Sequence, residues 1–520
     1  MLSQLSHWVR AILQATVYDV AIQTPLETAP KLTQRFANDI RFKREDLQPV
    51  KSFKLRGAYN RISQLSDEQK ARGVICASAG NHAQGVAYSA RKLSLNNIIV
   101  MPTTTPDIKV DAVRALGGNV DLHGDSFDQA NRYAIDRAER EGLTFIPPYD
   151  DELVIAGQGT IGLELTQQWR NMDYVFVAVG GGGLISGVAA FLGEVAPHVK
   201  VIAVEAEQSA CLKAALETGE RVKLEQVGLF VDGVAVAQIG ELPFDVVRTQ
   251  KSDNSGPIVE PEVITCTNDE VCAAVKDIFE ENRSIVEPAG ALSVAGMKKY
   301  IEANNIQDKN CVGIICGANM NFDRLRYIAE RTEIGEKKEA IFGVTIPEQT
   351  GAFLNFCRSL HGRNITEFNY RADSKKSPDS MEPASIFVGI ALKEGEKERQ
   401  TISNQLSDDG YTAHDLTDDD IAKSHIRHLI GGHAHVENEQ LLQVVFPERP
   451  GALLTFLEKL GDDFNITLFH YRNHGAAEGR VLVGLQASEG NSRQLQDALL
   501  DIGYDCATVN DNIGYQLFLR

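Results

Sequence analysis

No stretch of this chain approaches the roughly 18 consecutive apolar residues that a membrane-crossing helix needs. The first residues also lack the basic-then-apolar layout of a signal peptide. The chain is therefore expected to be cytoplasmic and to have no membrane partner. Its 8 cysteines stand singly at 76, 211, 266, 272, 311, 316, 357 and 506, with no Cys-x-x-Cys pair. That spacing gives neither a disulfide framework nor a zinc site, and it fits a reducing compartment. Basic charge is short as well: 52 Lys and Arg against 71 Asp and Glu leave a net charge of −19. Phosphate-backbone binding needs concentrated cations, so nucleic acid is not expected as a main partner, and the charge serves solubility. A G-x-G-x-x-G with a later acidic residue and a P-loop lysine are both missing, which argues against nucleotide binding.

What is present is enough chain for a large core. The 520 residues suit about three or four domains. From about Met1 to Ile40 the pattern reads as helical segments, with Thr24-Pro25-Leu26 as a turn. Between Leu47 and Gly335 short apolar runs alternate with longer amphipathic ones. The runs Val74–Ala77, Ile98–Met101, Asn119–Leu122, Tyr174–Val179, Val201–Glu205 and Val312–Cys316 are read as strands. Near-continuous Val, Ile and Ala suits parallel strands covered on both faces. Helices are expected at Asn81–Leu93, Ser126–Glu141 and Asn268–Glu281, which makes an open, doubly wound α/β core.

After Arg331 the character changes, and the charged run Glu333–Glu339 reads as a boundary. Beyond it the segment Pro347-Glu-Gln-Thr-Gly-Ala-Phe-Leu354 recurs as Pro447-Glu-Arg-Pro-Gly-Ala-Leu-Leu454. The agreement continues through Asn364-Ile-Thr366 and Asn465-Ile-Thr467 to Tyr370-Arg371 and Tyr471-Arg472, so the module is duplicated. Each copy reads strand, turn, helix, strand, strand, helix and a further short strand, a ferredoxin-like order. The strands and helices expected are Ile341–Ile346, Gly351–Leu360, Ile365–Arg371, Ser385–Leu392 and Lys397–Asp409. In the second copy they are Gln440–Phe446, Gly451–Leu460, Ile466–Arg472, Arg480–Gln486 and Ser492–Ile502. The polar insert Ala372–Pro383 is read as a mobile hairpin loop.

Three segments of the first part carry chemistry. In Lys51-Ser-Phe-Lys-Leu-Arg-Gly57 an apolar-flanked Lys54 would lose its proton easily, because burial disfavours the ammonium, and the amine can then attack a carbonyl. Ser78-Ala-Gly-Asn-His-Ala-Gln-Gly85 joins a strand to a helix. Its small residues offer backbone N–H groups to a carboxylate, or simply make a tight turn. Gly180–Gly183 follow a buried strand and precede a helix near Leu184, a place where amides can close on a phosphate. A fourth residue, Cys316, ends the last core strand, where ligands sit in open α/β sheets, or where a small core hydrophobe would sit.

Together these segments resemble the fold-type II, tryptophan-synthase-β-like family of pyridoxal-phosphate enzymes, and within it the threonine/serine dehydratases with their S-F-K-x-R-G motif. The resemblance implies pyridoxal 5′-phosphate as cofactor, held as a Schiff base by Lys54 and contacted by Phe53, Asn81, Gly180, Gly181, Gly182, Gly183, Leu184 and Cys316. It implies a substrate carboxylate at Ser78, Ala79, Gly80, Asn81 and His82, with Asn81 also on the cofactor's 3′-oxygen. Cys316 stands where the family more often has serine, beside the pyridine nitrogen; a weak neutral donor there favours elimination over transamination. Racemases of the family carry a second serine where this chain has Ala79. Relatives that hold a divalent cation pair a Glu with an Asp six residues on; here Glu205 is followed by Cys211, so no metal is expected. His425, His428, His433 and His435 lack an accompanying ligand pattern.

The repeats resemble ACT-like amino-acid-binding modules. The implied organisation is a catalytic core at 1–330 with a smaller subdomain at about 53–160, a connector at 331–338, modules at 339–415 and 438–515, and a connector at 416–437. The implied function is that of a biosynthetic threonine ammonia-lyase, a lyase that makes 2-oxobutanoate and ammonia from L-threonine, with L-serine secondary. Isoleucine would inhibit and valine activate at the repeats of a homotetramer. A catabolic serine/threonine dehydratase is the nearer alternative, against which the double tail argues. A non-catalytic amino-acid sensor is the more distant one, against which the intact Lys54, Asn81 and glycine loop argue.

Overall fold

The computed structural model describes residues 6–249, 261–322, 324–347, 351–371, 383–419, 422–423, 426–428, 436, 438–447, 452–460, 464–472, 478–486 and 505–511. The chain divides into two compact units, Met1–Thr332 and Glu333–Arg520. Among the described residues no helix is long and apolar enough to cross a membrane.

In the first unit the strands are β1 (Leu26–Thr28), β2 (Asp39–Arg44), β3 (Val74–Ala77), β4 (Asn97–Met101), β5 (Val120–Leu122), β6 (Thr144–Phe145), β7 (Tyr174–Ala178), β8 (Lys200–Ala206), β9 (Glu262–Cys266) and β10 (Asn310–Ile315). They form a four-stranded sheet in the order β5-β4-β3-β6 and a six-stranded sheet in the order β1-β2-β10-β7-β8-β9. Every pairing is parallel except that of β1 with β2. Burial on both faces accounts for their composition: all of β3 and β4 is buried, as are Val175, Phe176 and Val177 of β7.

The reading of residues 1–40 as helical needs correction. Helices at His7–Leu13 and Pro30–Phe36 are separated by β1, and β2 starts at Asp39. Strand β2 reads DIRFKR, so it carries no apolar run. Ile40 and Phe42 are buried, and so are Lys43 and Arg44, whose charges are met by ion pairs. β9 escaped the pattern for a related reason, since its residues are only half-buried at this sheet edge.

The strand β10 lies between β2 and β7. Its register sets Ile315 beside Arg44 of β2, so the ends of both strands open on the same edge as Cys316. A helix at Arg324–Gly335 then runs across the boundary at Thr332, so the expected connector at 331–338 is in its first half a helix end.

The second unit contains β11 (Glu339–Pro347), β12 (Ile365–Arg371), β13 (Pro383–Ala391), β14 (Thr412–Asp415), β15 (Glu439–Pro447), β16 (Asn465–Arg472), β17 (Glu478–Gln486) and β18 (Asp505–Thr508). Each repeat makes half of one eight-stranded antiparallel sheet ordered β14-β11-β13-β12-β16-β17-β15-β18, joined where β12 pairs β16. The edge-to-edge join was not foreseen from the repeat alone. It removes an exposed edge from each module, and Phe353, Phe368 and Phe469 pack across it. In both copies a register shift falls at the repeated threonine, between Ile365 and Glu367 and between Ile466 and Leu468. The Thr366 and Thr467 hydroxyls there donate to Glu339 and Glu439 of the first strand of their own module. The loop at 372–382, the helix expected at Ser492–Ile502 and most of both repeated turns (348–350 and 448–451) lie outside the described residues, as do His425, His433 and His435.

Candidate active site

The Lys54 loop is held by the strand end it faces. Phe53 N donates to Cys316 O at 3.1 Å, Ala318 N donates to Lys51 O at 2.9 Å, and Ser52 bridges Gly317. Lys54 then starts a helix, Lys54–Ser63, whose first turn points the side chain into a cleft with about 440 Å³ of atom-free space, part of it open to solvent. Its Nζ donates to Pro148 O at 3.0 Å and lies 5.3 and 5.9 Å from the ring centres of Phe53 and Tyr149. Burial of the ammonium lowers its pKa to about 8, against the opposing pull of Cys316 and Glu287.

Arg56, two residues on, explains the arginine of the motif. It is fully buried and donates to Glu45 from Nε and Nη2, both at 2.8 Å, and to Glu164 from Nη1 at 2.6 Å. Lys43 adds a second cation to Glu164 at 2.5 Å. Two cations and two carboxylates thus anchor the helix that carries Lys54 from beneath.

The opposite wall is the glycine loop. Gly182 takes φ +91° and caps the helix Gly183–Val195, a conformation that L side chains rarely adopt. A Cβ at Gly181 would run into the Tyr149 ring, and one at Gly183 would sit 2.9 Å from Tyr149 Cβ. The first amides of the helix, which have no partner within it, therefore stay open to the cleft. Cys211 ties the loop down by donating from Sγ to Gly180 O at 3.5 Å.

Glu205 is buried and accepts from Leu212 N at 2.8 Å and Lys213 N at 2.9 Å. Burial raises its pKa to about 7, although these amides pull the other way. It caps the helix Cys211–Thr218. Among the described residues no group of three or more His, Cys, Asp and Glu side chains is placed to hold a metal ion.

Of the five residues expected at the substrate carboxylate, only Asn81 lines the cleft. Ser78 Oγ accepts from Gly80 N at 3.2 Å, which shapes the turn before the helix Asn81–Lys92. The His82 ring lies in the core, where its Nε2 donates to Ile146 O at 2.8 Å. Burial, with Lys54 nearby, lowers its pKa to about 3, so the ring is neutral. What His82 can offer a ligand is its backbone N–H. Cys316 is 4% exposed and donates from Sγ to Ala289 O at 3.2 Å. Burial pushes its thiol far above the ordinary range, so it too is neutral.

The cleft also contains residues that sequence reasoning missed: Tyr149, Gly233, Val234, Glu287 and Ala289. Glu287 precedes Pro288 at the start of a helix, an ordinary capping position, so pattern alone gave no sign of it. It is 4% exposed, accepts from Asn81 Nδ2 at 2.6 Å, and burial raises its pKa to about 7. At the first unit's surface, Asp232 pairs with Lys109 at 2.9 Å and Arg324 at 3.1 Å, joining the segment next to Gly233 to the helix Asp107–Ala115 beside the small sheet.

A buried lysine with a lowered pKa, a cradle of helix amides and a neutral thiol suit a phosphorylated aldehyde cofactor, and comparison with known proteins agrees. Residues 17–317 match the family model described as pyridoxal-phosphate dependent enzyme, and residues 330–426 and 430–519 each match the C-terminal regulatory domain of threonine dehydratase. The chain is 51% identical over 516 residues to L-threonine dehydratase biosynthetic IlvA of Escherichia coli (strain K12), covering 99% of this chain and 97% of that one. It is 45% identical over 520 residues to threonine dehydratase biosynthetic, chloroplastic, of Arabidopsis thaliana, covering 100% and 85%. The solved structure of the processed form of threonine deaminase isoform 2 from Solanum lycopersicum superposes with a TM-score of 0.61 at 47% identity, over 64% of this chain and 88% of that one. The chain belongs to the fold-type II pyridoxal-phosphate-dependent enzymes, in the branch of biosynthetic threonine dehydratases that carry a C-terminal regulatory domain.

Proposed function

We propose that this chain is a threonine ammonia-lyase, converting L-threonine to 2-oxobutanoate and ammonia by α,β-elimination at the first step of isoleucine synthesis, with L-serine as a secondary substrate. The observation that carries the reading is Lys54, whose amine is held near neutrality in a cleft faced by a glycine cradle and a neutral thiol.

The residues present fit pyridoxal 5′-phosphate. Lys54 would anchor it, Gly180, Gly181, Gly182, Gly183 and Leu184 would take the phosphate, and Phe53, Asn81 and Cys316 would surround the ring. The crowding of Gly181 and Gly183 against Tyr149 supports a cradle from which side chains are excluded. When bound, the cofactor supplies the electron sink for the pair left when a Cα proton departs.

The rest falls to the protein. Lys54 Nζ, whose lowered pKa makes the free amine far more available near neutral pH than an ordinary lysine's, removes the Cα proton as general base. The amides of Gly80, Asn81 and His82, at a helix N-terminus, bind and orient the substrate carboxylate. Cys316, a neutral thiol, would bring no charge to the cofactor ring, a setting that would favour elimination over transamination. Glu205 is read as a helix cap and not as a metal ligand.

The division of labour follows the two units. Residues 1–330 form the catalytic core, and the modules at 339–415 and 438–515 are ACT-like. They receive isoleucine as inhibitor and valine as activator, a role supported by the match of both copies to a regulatory domain. A cytoplasmic homotetramer completes the reading, with eight free cysteines suited to a reducing compartment. The test is direct. Purified protein supplied with the cofactor should release 2-oxobutanoate from L-threonine faster than pyruvate from L-serine, and isoleucine should suppress the rate. Absence of keto acid from either substrate overturns the assignment.

A further inference from the structure

Asn81 is gripped at both ends of its carboxamide. Val50 O can only accept, and Asn319 Nδ2 donates to it at 2.8 Å. The same nitrogen reaches Asn81 Oδ1 at 2.7 Å, so Asn81 must present oxygen on that side. Its nitrogen then faces Glu287 Oε1 at 2.6 Å. Only one of the two amide hydrogens can serve Glu287, and Asn81 lines the cleft, so the second is left for whatever the cleft holds. The order of donation runs one way, from Asn319 to Asn81 to Glu287.

The surroundings keep that order. Glu287 starts the helix Pro288–Ala303, and its backbone N donates to Gly317 O at 3.3 Å. A Cβ at Gly317 would strike Glu287 Oε1 and stand 3.2 Å from Asn81 Nδ2, so a side chain there would break the pair. The segment Cys316-Gly-Ala-Asn319 thus supplies both the clearance and the first donor. Whether ionised or protonated, a carboxyl keeps at least one oxygen that accepts, so the grip persists across the range in which Glu287, raised by burial to about 7, changes charge.

We propose that Glu287 and Asn319 are positioning residues that lock the Asn81 carboxamide with its N–H toward the cofactor ring. The proposal deepens the cofactor reading above and rests on it. A fixed donor at the ring's oxygen stabilises the negative charge there and so favours one of the two colour forms of the bound cofactor. A freely rotating amide would present its oxygen part of the time and lose that preference.

The test is a double-mutant cycle read on the cofactor itself. The dissociation constant and the ratio of long- to short-wavelength visible bands are measured for wild type, Glu287→Ala, Asn81→Ala and the double variant, with apo-protein melting recorded alongside. Losing the hydrogen bond that fixes the Asn81 carboxamide should weaken cofactor binding by about tenfold in Glu287→Ala and lower the band ratio. In the Asn81→Ala background the same change should alter binding by less than about twofold, because there is nothing left to position. Glu287→Gln, which keeps shape and an acceptor oxygen, should stay within about twofold of wild type. Equal effects of Glu287→Ala in both backgrounds overturn the proposal, and so does a Glu287→Gln as damaged as Glu287→Ala. Should Glu287→Ala fail to fold, the cycle of Asn319→Ala with Asn81→Ala decides by the same rule. A wild type with no visible band at all is a different result: it rejects the cofactor reading, and this proposal with it.

Discussion

Replacing Arg56 by methionine isolates what the arginine of the lysine motif does. The guanidinium is fully buried and makes four hydrogen bonds to carboxylates, at 2.8, 2.8, 2.6 and 3.1 Å. It makes two more, to Thr160 at 3.1 Å and Ile22 O at 3.3 Å. Removing one partner of a buried pair costs about 3–5 kcal/mol, because a charge is left without compensation. Glu164 keeps Lys43 at 2.5 Å, so most of the loss falls on Glu45, which retains hydrogen bonds from Thr24 at 2.5 Å and Gln48 at 3.1 Å and the more distant charge of Lys43. Arg56→Met should therefore lose about 3–5 kcal/mol at pH 7.

The pH dependence follows from Glu45. Burial pushes its pKa up, but the charge and hydrogen bonds of Arg56 outweigh burial and hold it below the ordinary carboxylate value. A depressed carboxyl pKa stabilises the fold above the unfolded-state value and loses that contribution as pH falls through the folded-state value. The gap between wild type and Arg56→Met should narrow toward acid for the same reason, since a protonated Glu45 needs no counter-charge. Both tryptophans, Trp8 and Trp169, lie in the first unit. Urea unfolding followed by their fluorescence thus reports on that unit. A variant within about 1 kcal/mol of wild type at pH 7 refutes the reasoning, as only a solvated surface pair is worth so little.

Lys54→Ala should keep its circular dichroism and lose several orders of magnitude in elimination rate, since both anchor and base are gone; a tenth of wild-type turnover would reject the assignment. The rate of cofactor uptake by apo-protein should rise with pH to a midpoint near 8, the lowered value of Lys54, because only the free amine attacks. A midpoint near the ordinary lysine value of about 10.4 counts against a buried amine. Cys316→Asp should slow elimination and raise abortive transamination by stabilising a protonated ring nitrogen, and unchanged kinetics and spectrum would place Cys316 away from the ring. A chain ending after Lys337, which preserves the helix Arg324–Gly335, should keep turnover and lose its response to isoleucine. Full-length sensitivity in that truncation moves the effector site into the first unit.

The parts of this fold that could be read from residues are those where one pattern has one cause. Strands β3, β4 and β7 are buried on both faces, so their composition is nearly all apolar and they stand out. β2 is buried as well, but Lys43 reaches the interior because Glu164 meets it there, and no local pattern announces a partner 121 residues away; Arg44 is met by the nearer Asp46 and Glu27. The site shows the same split. Lys54 and the glycine loop are local signals, whereas Glu287 enters the cleft through its approach to Asn81, 206 positions away in sequence. His82 sits in a legible motif, yet the geometry of its helix turns the ring into the core. In the second unit the repeat predicted two modules, but the pairing of β12 with β16 depends on edges that a repeat period does not describe.

The account turns on Lys54 as the residue that holds pyridoxal phosphate, and reductive trapping tests this most directly. Holoenzyme treated with borohydride, digested and mapped by mass spectrometry should carry the reduced cofactor on Lys54, at about one per chain. Label on a different lysine, or an active protein with no label on any lysine, contradicts it.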